Sequence, residues 1–289
     1  MSEDVHACPL CGSNQSSLFD RRAFRGREVV NCLCRACGLV YMSPRMSEAE
    51  AAEFYQAEYR QLYQGDETPI AKDFATQTAR ADSLVGFARP YVAAVKRHLD
   101  IGCSTGLILQ GFQEYYHCQA VGVEPGESYR TYARKQGLMV YAALEELEAK
   151  PEPRFDLVSL SHVLEHLPDP VTYLAHLSDA ILTPGGGLLL EVPNLYTHNS
   201  FEVAHLVSYS AHSLAQVVTK AGYEIIALEK HGRPRSDLLP LYLTLLARPT
   251  ASQTWSLRPE RFVAFKRHLG MLWRRLMGRL FPRWAWKEL

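Results

Sequence analysis

The stretch LDIGCSTGLIL, residues 99–109, limits the folds open to this chain more than any other. An apolar run that closes on Asp100, followed by glycines at 102 and 106, reads as a strand that stops abruptly and feeds a helix. The flanking sequence repeats that alternation. Strand-like runs lie at 96–101, 119–124, 138–142, 155–161, 186–192, 223–230 and 241–248. Helical stretches follow most of them, which predicts an α/β domain with a mostly parallel seven-stranded sheet and crossover helices. Only the loop HGRPRSDLLP joins the last two runs, so they predict an antiparallel hairpin at the end of the sheet.

The turn itself selects among ligands. A dinucleotide fingerprint needs a third glycine for close packing of helix on strand, but Ser104 and Leu107 stand where two of its glycines would be. No lysine followed by a hydroxyl residue completes a phosphate loop. Asp100 at the strand's end, the glycine turn and Glu124 closing the next strand suit a cofactor with a ribose and no phosphate. Glu124 can accept both ribose hydroxyls while the turn's backbone passes close to an amino-acid portion.

Five of the seven cysteines lie in the first 37 residues, as Cys8 and Cys11, then Cys32, Cys34 and Cys37. Two C-x-x-C pairs separated by 22 residues read as a tetrahedral zinc site held by Cys8, Cys11, Cys34 and Cys37, with Cys32 spare. Gly12 and Gly38 follow each pair and can supply the positive φ a knuckle needs. So short a segment makes no core unaided, and the metal would supply folding energy. A redox dithiol is the competing reading, but the doubled motif suits a closed structural site.

The chain divides into a ribbon at 1–45, a helical linker or lid at 46–90, the α/β domain at 91–250 and a basic tail at 251–289. Phe54, Tyr55, Tyr59 and Tyr63 recur at helical spacing in the linker, as a packing stripe or as a lid over a site. With 289 residues, 47% of them hydrophobic, the chain can bury a sizeable core. Its 31 basic residues equal its 31 acidic ones, which excludes a broad positive field for nucleic acid. The N-terminus has no leader pattern and no uninterrupted apolar run reaches about 18 residues, so the cytoplasm is expected.

LDIGCSTG, VGVEP, ALEEL, FDLVSLSHVLEHLPDP and LTPGGGLLLEVPN follow the motif order of the class I S-adenosylmethionine-dependent methyltransferases, which the chain resembles over roughly residues 90–248. The resemblance implies a Rossmann-like methyltransferase sheet with S-adenosylmethionine as cofactor. It places Asp100, Gly102, Gly106 and Glu124 at the cofactor pocket, Leu144 near adenine, and Ser161 and His162 near the sulfonium. The four-cysteine ribbon, helical linker and VPN segment, with His205-Leu206 and Tyr209-Ser210 beyond it, are similar to zinc-containing sugar methyltransferases. That implies a small polar acceptor, a sugar or glycan, methylated on oxygen or carbon. The chain departs from those C-methyltransferases in carrying Ala204-His205 where they have Glu-His, and a tail where they have a C-terminal domain.

Methyl transfer needs a positioned nucleophile and a base, and histidine suits the base near neutral pH. Candidates cluster at His162, Glu165 and His166, after the fourth strand of the domain, and at His205, Tyr209 and His212, after the fifth. Both clusters are expected to face the methyl group, with His205 or His166 as base. The bland alternative has Glu165 and His166 fixing the loop, and His212 beside an N-cap at Ser213. His162, Glu165, His166 and His205 also resemble the metal cluster of small-RNA terminal methyltransferases and some quinone O-methyltransferases, with His162 replacing a glutamate. A second, catalytic divalent metal is therefore an open reading.

An RNA methyltransferase gripping its substrate with the ribbon is the alternative, supported by RRAFRGR at 21–27. Against it, no N-P-P-Y type loop follows the fourth strand. In the tail, nine lysines and arginines stand against two acids from Trp255 to Leu289. Phe262, Phe265, Leu269, Trp273, Leu276, Leu280 and Trp284 recur there at three- and four-residue steps. Such a basic amphipathic helix either lies on an anionic membrane surface or packs on the core or a dimer partner.

Overall fold

The computed structural model describes residues 2–47, 50, 51, 54, 71–150, 154–251 and 254–287. Its N-terminal part is an antiparallel ribbon of β1 (Ser16–Phe24), β2 (Arg27–Cys34) and β3 (Val40–Met42). Arg25 and Gly26 form the two-residue hairpin loop, both with positive φ, the backbone that matches the twist of flanking strands. Phe54 is buried in the same core, while Tyr55, Tyr59 and Tyr63 lie outside the described residues.

After helix α1 (Ala71–Ala88) comes the α/β domain. Its parallel strands β4 (Arg97–Ile101), β5 (Gln119–Val123), β6 (Met139–Tyr141), β7 (Phe155–Ser161) and β8 (Leu182–Pro193) alternate with α2 (Leu107–Tyr116), α3 (Glu127–Lys135), α4 (Leu144–Glu148) and α5 (Pro170–His176). Runs such as Leu188-Leu189-Leu190 are apolar without alternation because helices cover both sheet faces. One core cluster packs α1 and α2 on one face; the larger one joins the other face to the ribbon.

The connector after β8 contributes β9 (Val207–Ser208), then come α6 (Ala211–Lys220), β10 (Tyr223–His231) and β11 (Tyr242–Pro249). The sheet order is β10-β11-β8-β7-β4-β5-β6. The expected hairpin is present, with β11 antiparallel to both neighbours. It lies at the end of the sheet as expected, with β11 beside β8 and β10 at the edge.

β9 does not join that sheet. It pairs with β3 through Val40–Ser208 and Tyr41–Val207, so the connector bearing His205 extends the ribbon's own sheet. The tail ties in from the other side, where Glu260 N donates to Cys37 O at 2.9 Å. Helices α7 (Val263–Leu280) and α8 (Pro282–Ala285) follow, and Met277 and Ala285 bury against Leu239, Leu241 and Tyr242. The apolar stripe found in the tail faces away from the protein: Phe265, Leu269, Trp273 and Leu276 are exposed, whereas Arg267 is buried. Among the described residues no helix is long and apolar enough to cross a membrane.

Candidate functional site

The glycine turn is held by sterics and by Glu124. A Cβ on Gly102 (φ +76°) would lie 2.5 Å from Val163 Cγ2, and one on Gly106 (φ +86°) 2.2 Å from Leu138 Cδ1. A side chain at either position would be strained by the left-handed backbone and would have to displace Val163 or Leu138. Glu124 reaches back across the turn, its carboxylate accepting from Ser104 N at 2.9 Å and Gly126 N at 2.8 Å. Above them opens a cavity of about 570 Å³ at the carboxyl ends of β4, β5 and β7. This is where open α/β sheets bind ligands.

Gly102, Glu124, Leu144, Ser161, His162 and His166 all lie on the cavity wall. Asp100 and Gly106 do not; Asp100 is fully buried beneath the turn. Ser159 Oγ donates to its Oδ1 at 2.5 Å, and His98 Nε2 lies 2.8 Å from that hydroxyl. Burial pushes the Asp100 carboxyl up to about 7 and holds His98 down to about 3.

Strand β7 ends in a strained loop. His162 adopts φ +57°, and its two nitrogens face two buried carboxylates, Nδ1 toward Glu165 Oε1 at 3.2 Å and Nε2 toward Glu191 Oε1 at 3.4 Å. Burial and the Arg80 guanidinium oppose protonation of His162, but the two carboxylates outweigh them and raise its pKa. Burial likewise opposes ionisation of Glu165, yet His162 holds that carboxyl down to about 2. Glu191 also meets Arg80 Nε at 2.9 Å and accepts from Thr244 Oγ1 at 3.2 Å. Arg80, on α1, lines the cavity. Sequence reasoning missed both Arg80 and Glu191. The signal for Glu191 was available: a carboxylate inside LLLEV must have a buried partner.

His166 Nδ1 lies 2.9 Å from Ala204 O, and His205 Nδ1 2.8 Å from Ser200 O. A carbonyl only accepts, so each Nδ1 carries the proton and each Nε2 keeps a lone pair. The two rings stand nearly perpendicular with centroids 4.9 Å apart. Burial holds His166 below the usual histidine range and His205 down to about 4. Glu165, His166 and His205 each offer a ligand atom within 4.8 Å of the others. His205 is not on the cavity wall, which His166 beside it lines, contrary to the expectation that both clusters face the same space. Tyr209 is fully buried and its hydroxyl donates to Leu164 O at 3.2 Å, bracing the loop. The N-cap of α6 is Ser210 rather than Ser213; their hydroxyls and amides pair reciprocally, leaving Ser213 at N3.

In the ribbon, Cys8 and Cys37 sulfurs lie 3.5 Å apart, Cys11 and Cys34 sulfurs 3.6 Å, and all four fall within 4.8 Å. Four thiolates at about 2.3 Å from a zinc ion would be spaced by about 3.8 Å, whereas a disulfide needs about 2.05 Å. The donor set fits zinc. Cys32 lies apart, its sulfur 4.0 Å from Ser43 O.

Residues 74–228 match the family described as Methyltransferase domain. Over 106 residues the chain is 30% identical to a ubiquinone biosynthesis O-methyltransferase of Alkalilimnicola ehrlichii, covering 34% of this chain and 42% of that one. A protein of the same description from Dinoroseobacter shibae is 31% identical over 156 residues, 51% of this chain and 61% of that one. The matches thus span roughly half the length of these curated relatives. Among solved structures, the Burkholderia thailandensis 1,6-didemethyltoxoflavin-N1-methyltransferase, with S-adenosylhomocysteine bound, superposes with a TM-score of 0.58 at 20% identity. That match covers 80% of this chain and 99% of that one.

Proposed function

The chain belongs to the Methyltransferase domain family, and from that membership we propose that it moves the methyl group of S-adenosylmethionine onto a small polar acceptor, a sugar or glycan being the reading that its four-cysteine ribbon, similar to that of zinc-containing sugar methyltransferases, supports. The observation that carries the cofactor assignment is the turn and cavity at the strand ends. Gly102 brings the turn's backbone to the wall, the buried Ser161 Oγ there has no hydrogen-bond partner among the described residues, and Glu124 offers a carboxylate beside it. When bound, the cofactor supplies an electrophilic methyl on a sulfonium.

His166 is the base in this reading. It is on the cavity wall, burial keeps it neutral near pH 7, and with Nδ1 turned to Ala204 O its Nε2 is the atom that would take the proton of an acceptor hydroxyl as the oxygen attacks. His205 and Glu165 position that ring. A second reading assigns Glu165, His166 and His205 to a divalent cation, favoured by their convergent atoms and by the carbonyl partners that orient both imidazoles. Such a cation would polarise an acceptor oxygen. Zinc held by Cys8, Cys11, Cys34 and Cys37 would be structural. The outward apolar stripe of α7, in a tail rich in lysine and arginine, suits peripheral contact with an anionic membrane.

The test is a transfer assay with deuteromethyl-labelled S-adenosylmethionine and mass-spectrometric readout. The acceptors are nucleotide-linked sugars, a quinone-precursor phenol of the kind its relatives' name suggests, and a structured RNA. Label on a sugar is the expected outcome, with fragmentation separating oxygen from carbon. Label confined to the phenol or the RNA would overturn the acceptor, and no label on any would count against methyl transfer.

A further inference from the structure

A second cavity, of about 500 Å³, opens between β1, the segment after β8 and the inner face of α7. It shares no lining residue with the cofactor cavity. Arg22, Arg267, Arg274 and Arg275 line it, with Asp20 and Asn199. Asp20 is fully engaged by Arg22, through Nε at 2.6 Å and Nη2 at 2.8 Å, while Arg22 Nη1 donates to Asn199 Oδ1 at 2.7 Å.

The other three guanidiniums form no ion pair with a carboxylate among the described residues. Arg267 is buried and donates to the carbonyls of Leu195 and His198; Arg274 donates to Thr197 O at 2.8 Å. Those carbonyls satisfy some N–H groups and neutralise no charge. Arg22 and Arg267 both lie over the Phe201 ring, at 4.8 and 4.1 Å from its centroid, which fixes the planes of both forks. Arg275 is exposed at the mouth and has no hydrogen bond or ion pair among the described residues. Burial first, then repulsion from Arg22 and more weakly from Arg274, holds Arg267 down to about 10, and the attraction of Asp20 offsets only part of this.

Fixed guanidinium forks of excess positive charge in a concave site are the recognition chemistry of phosphate, because each fork can give two parallel N–H bonds to adjacent phosphate oxygens. We propose that this cavity binds a phosphoryl group, as a mono- or diphosphate carried by a small ligand or a lipid headgroup. The carbonyl-bearing segment that caps Arg267 and Arg274 also carries His198, whose ring lies 5.6 Å from Tyr242, itself 5.2 Å from His162 on the cofactor cavity. Binding here needs no methyl transfer, so the site stands or falls independently of the proposed reaction.

Two binding measurements on the full chain at low ionic strength test this: calorimetric titration with inorganic diphosphate, and sedimentation with neutral vesicles doped with phosphatidic acid. Each is run on the native chain, on Arg275→Ala, whose side chain holds no structural contact, and on Arg279→Ala, a charge on the same helix outside the cavity. Diphosphate affinity should fall at least about tenfold in Arg275→Ala and hold in Arg279→Ala. Binding seen only with vesicles, and with that same dependence on Arg275, supports the site and makes the source a lipid headgroup. The site is overturned if neither probe binds, or if binding falls equally in both variants, since the effect is then diffuse charge.

Discussion

Asp100 sits far from the ordinary protonation of a carboxyl group. An aspartic acid ionises near 3.9 in an unfolded chain, whereas burial pushes Asp100 up to about 7. Between about pH 4 and 7 the unfolded chain has therefore released a proton that the folded chain keeps, and stability falls as pH rises through that window. Neighbouring His98, held down to about 3, has the opposite sign: the stability it supports is lost as pH falls below about 6.5. Comparing native protein with Asp100→Asn by scanning calorimetry isolates the first effect. The variant's advantage in Tm should be small at pH 4 and grow to several degrees by pH 7; a constant difference would mean Asp100 ionises normally. At the rim of the same turn, Glu124→Ala should weaken S-adenosylmethionine binding about tenfold or more by calorimetry, since a charged acceptor is lost. For the base, His166→Ala should lower kcat by about 100-fold or more with cofactor affinity unchanged. His205→Ala, off the cavity wall, should cost less; the reverse order would return the base to His205.

Among the elements, α7 shows how periodicity identifies a stripe without saying where it points. The three- and four-residue recurrence of Phe265, Leu269, Trp273 and Leu276 would pack inward on an ordinary surface helix. Here Val263, Arg267 and Met277 take the inward positions, because the cradle offers carbonyls of the segment after β8 that accept a guanidinium. The outward stripe should hold the protein on vesicles rich in anionic lipid at low salt, and Trp273→Ser with Leu276→Ser should abolish sedimentation while leaving the melting temperature unchanged. Retention by the double variant would assign the contact to arginines alone. β9 makes the complementary point. Its two residues carry no strand signal of their own, and only the exposed edge of β3 makes them a strand.

For the whole molecule, the ribbon is part of the catalytic unit's core rather than a bead on a linker. Cys8, Cys34 and Cys37 share one buried cluster with Leu188 and Leu190 of the central sheet, and Lys220 Nζ donates to Leu10 O at 2.5 Å. The expected consequence is that zinc analysis finds one ion per chain and that Cys34→Ser, or strong chelation, lowers the single melting transition of the entire protein. Two separate transitions, with the catalytic one unmoved, would show an autonomous ribbon. The sequence by itself determined the strand–turn–helix alternation, the cofactor turn and the four-cysteine set, because each depends on residues close in the chain: glycines where φ must be positive, apolar runs where both faces are covered, and paired cysteines on knuckles. Tertiary structure alone decided that β11 inserts beside β8, that β9 completes the ribbon sheet, that His166 rather than His205 meets the cavity, and that Arg80 pairs with Glu191. Those outcomes turn on which buried charge finds a partner and which strand edge is left open, and both are settled by groups far apart in sequence that meet only when the chain is packed.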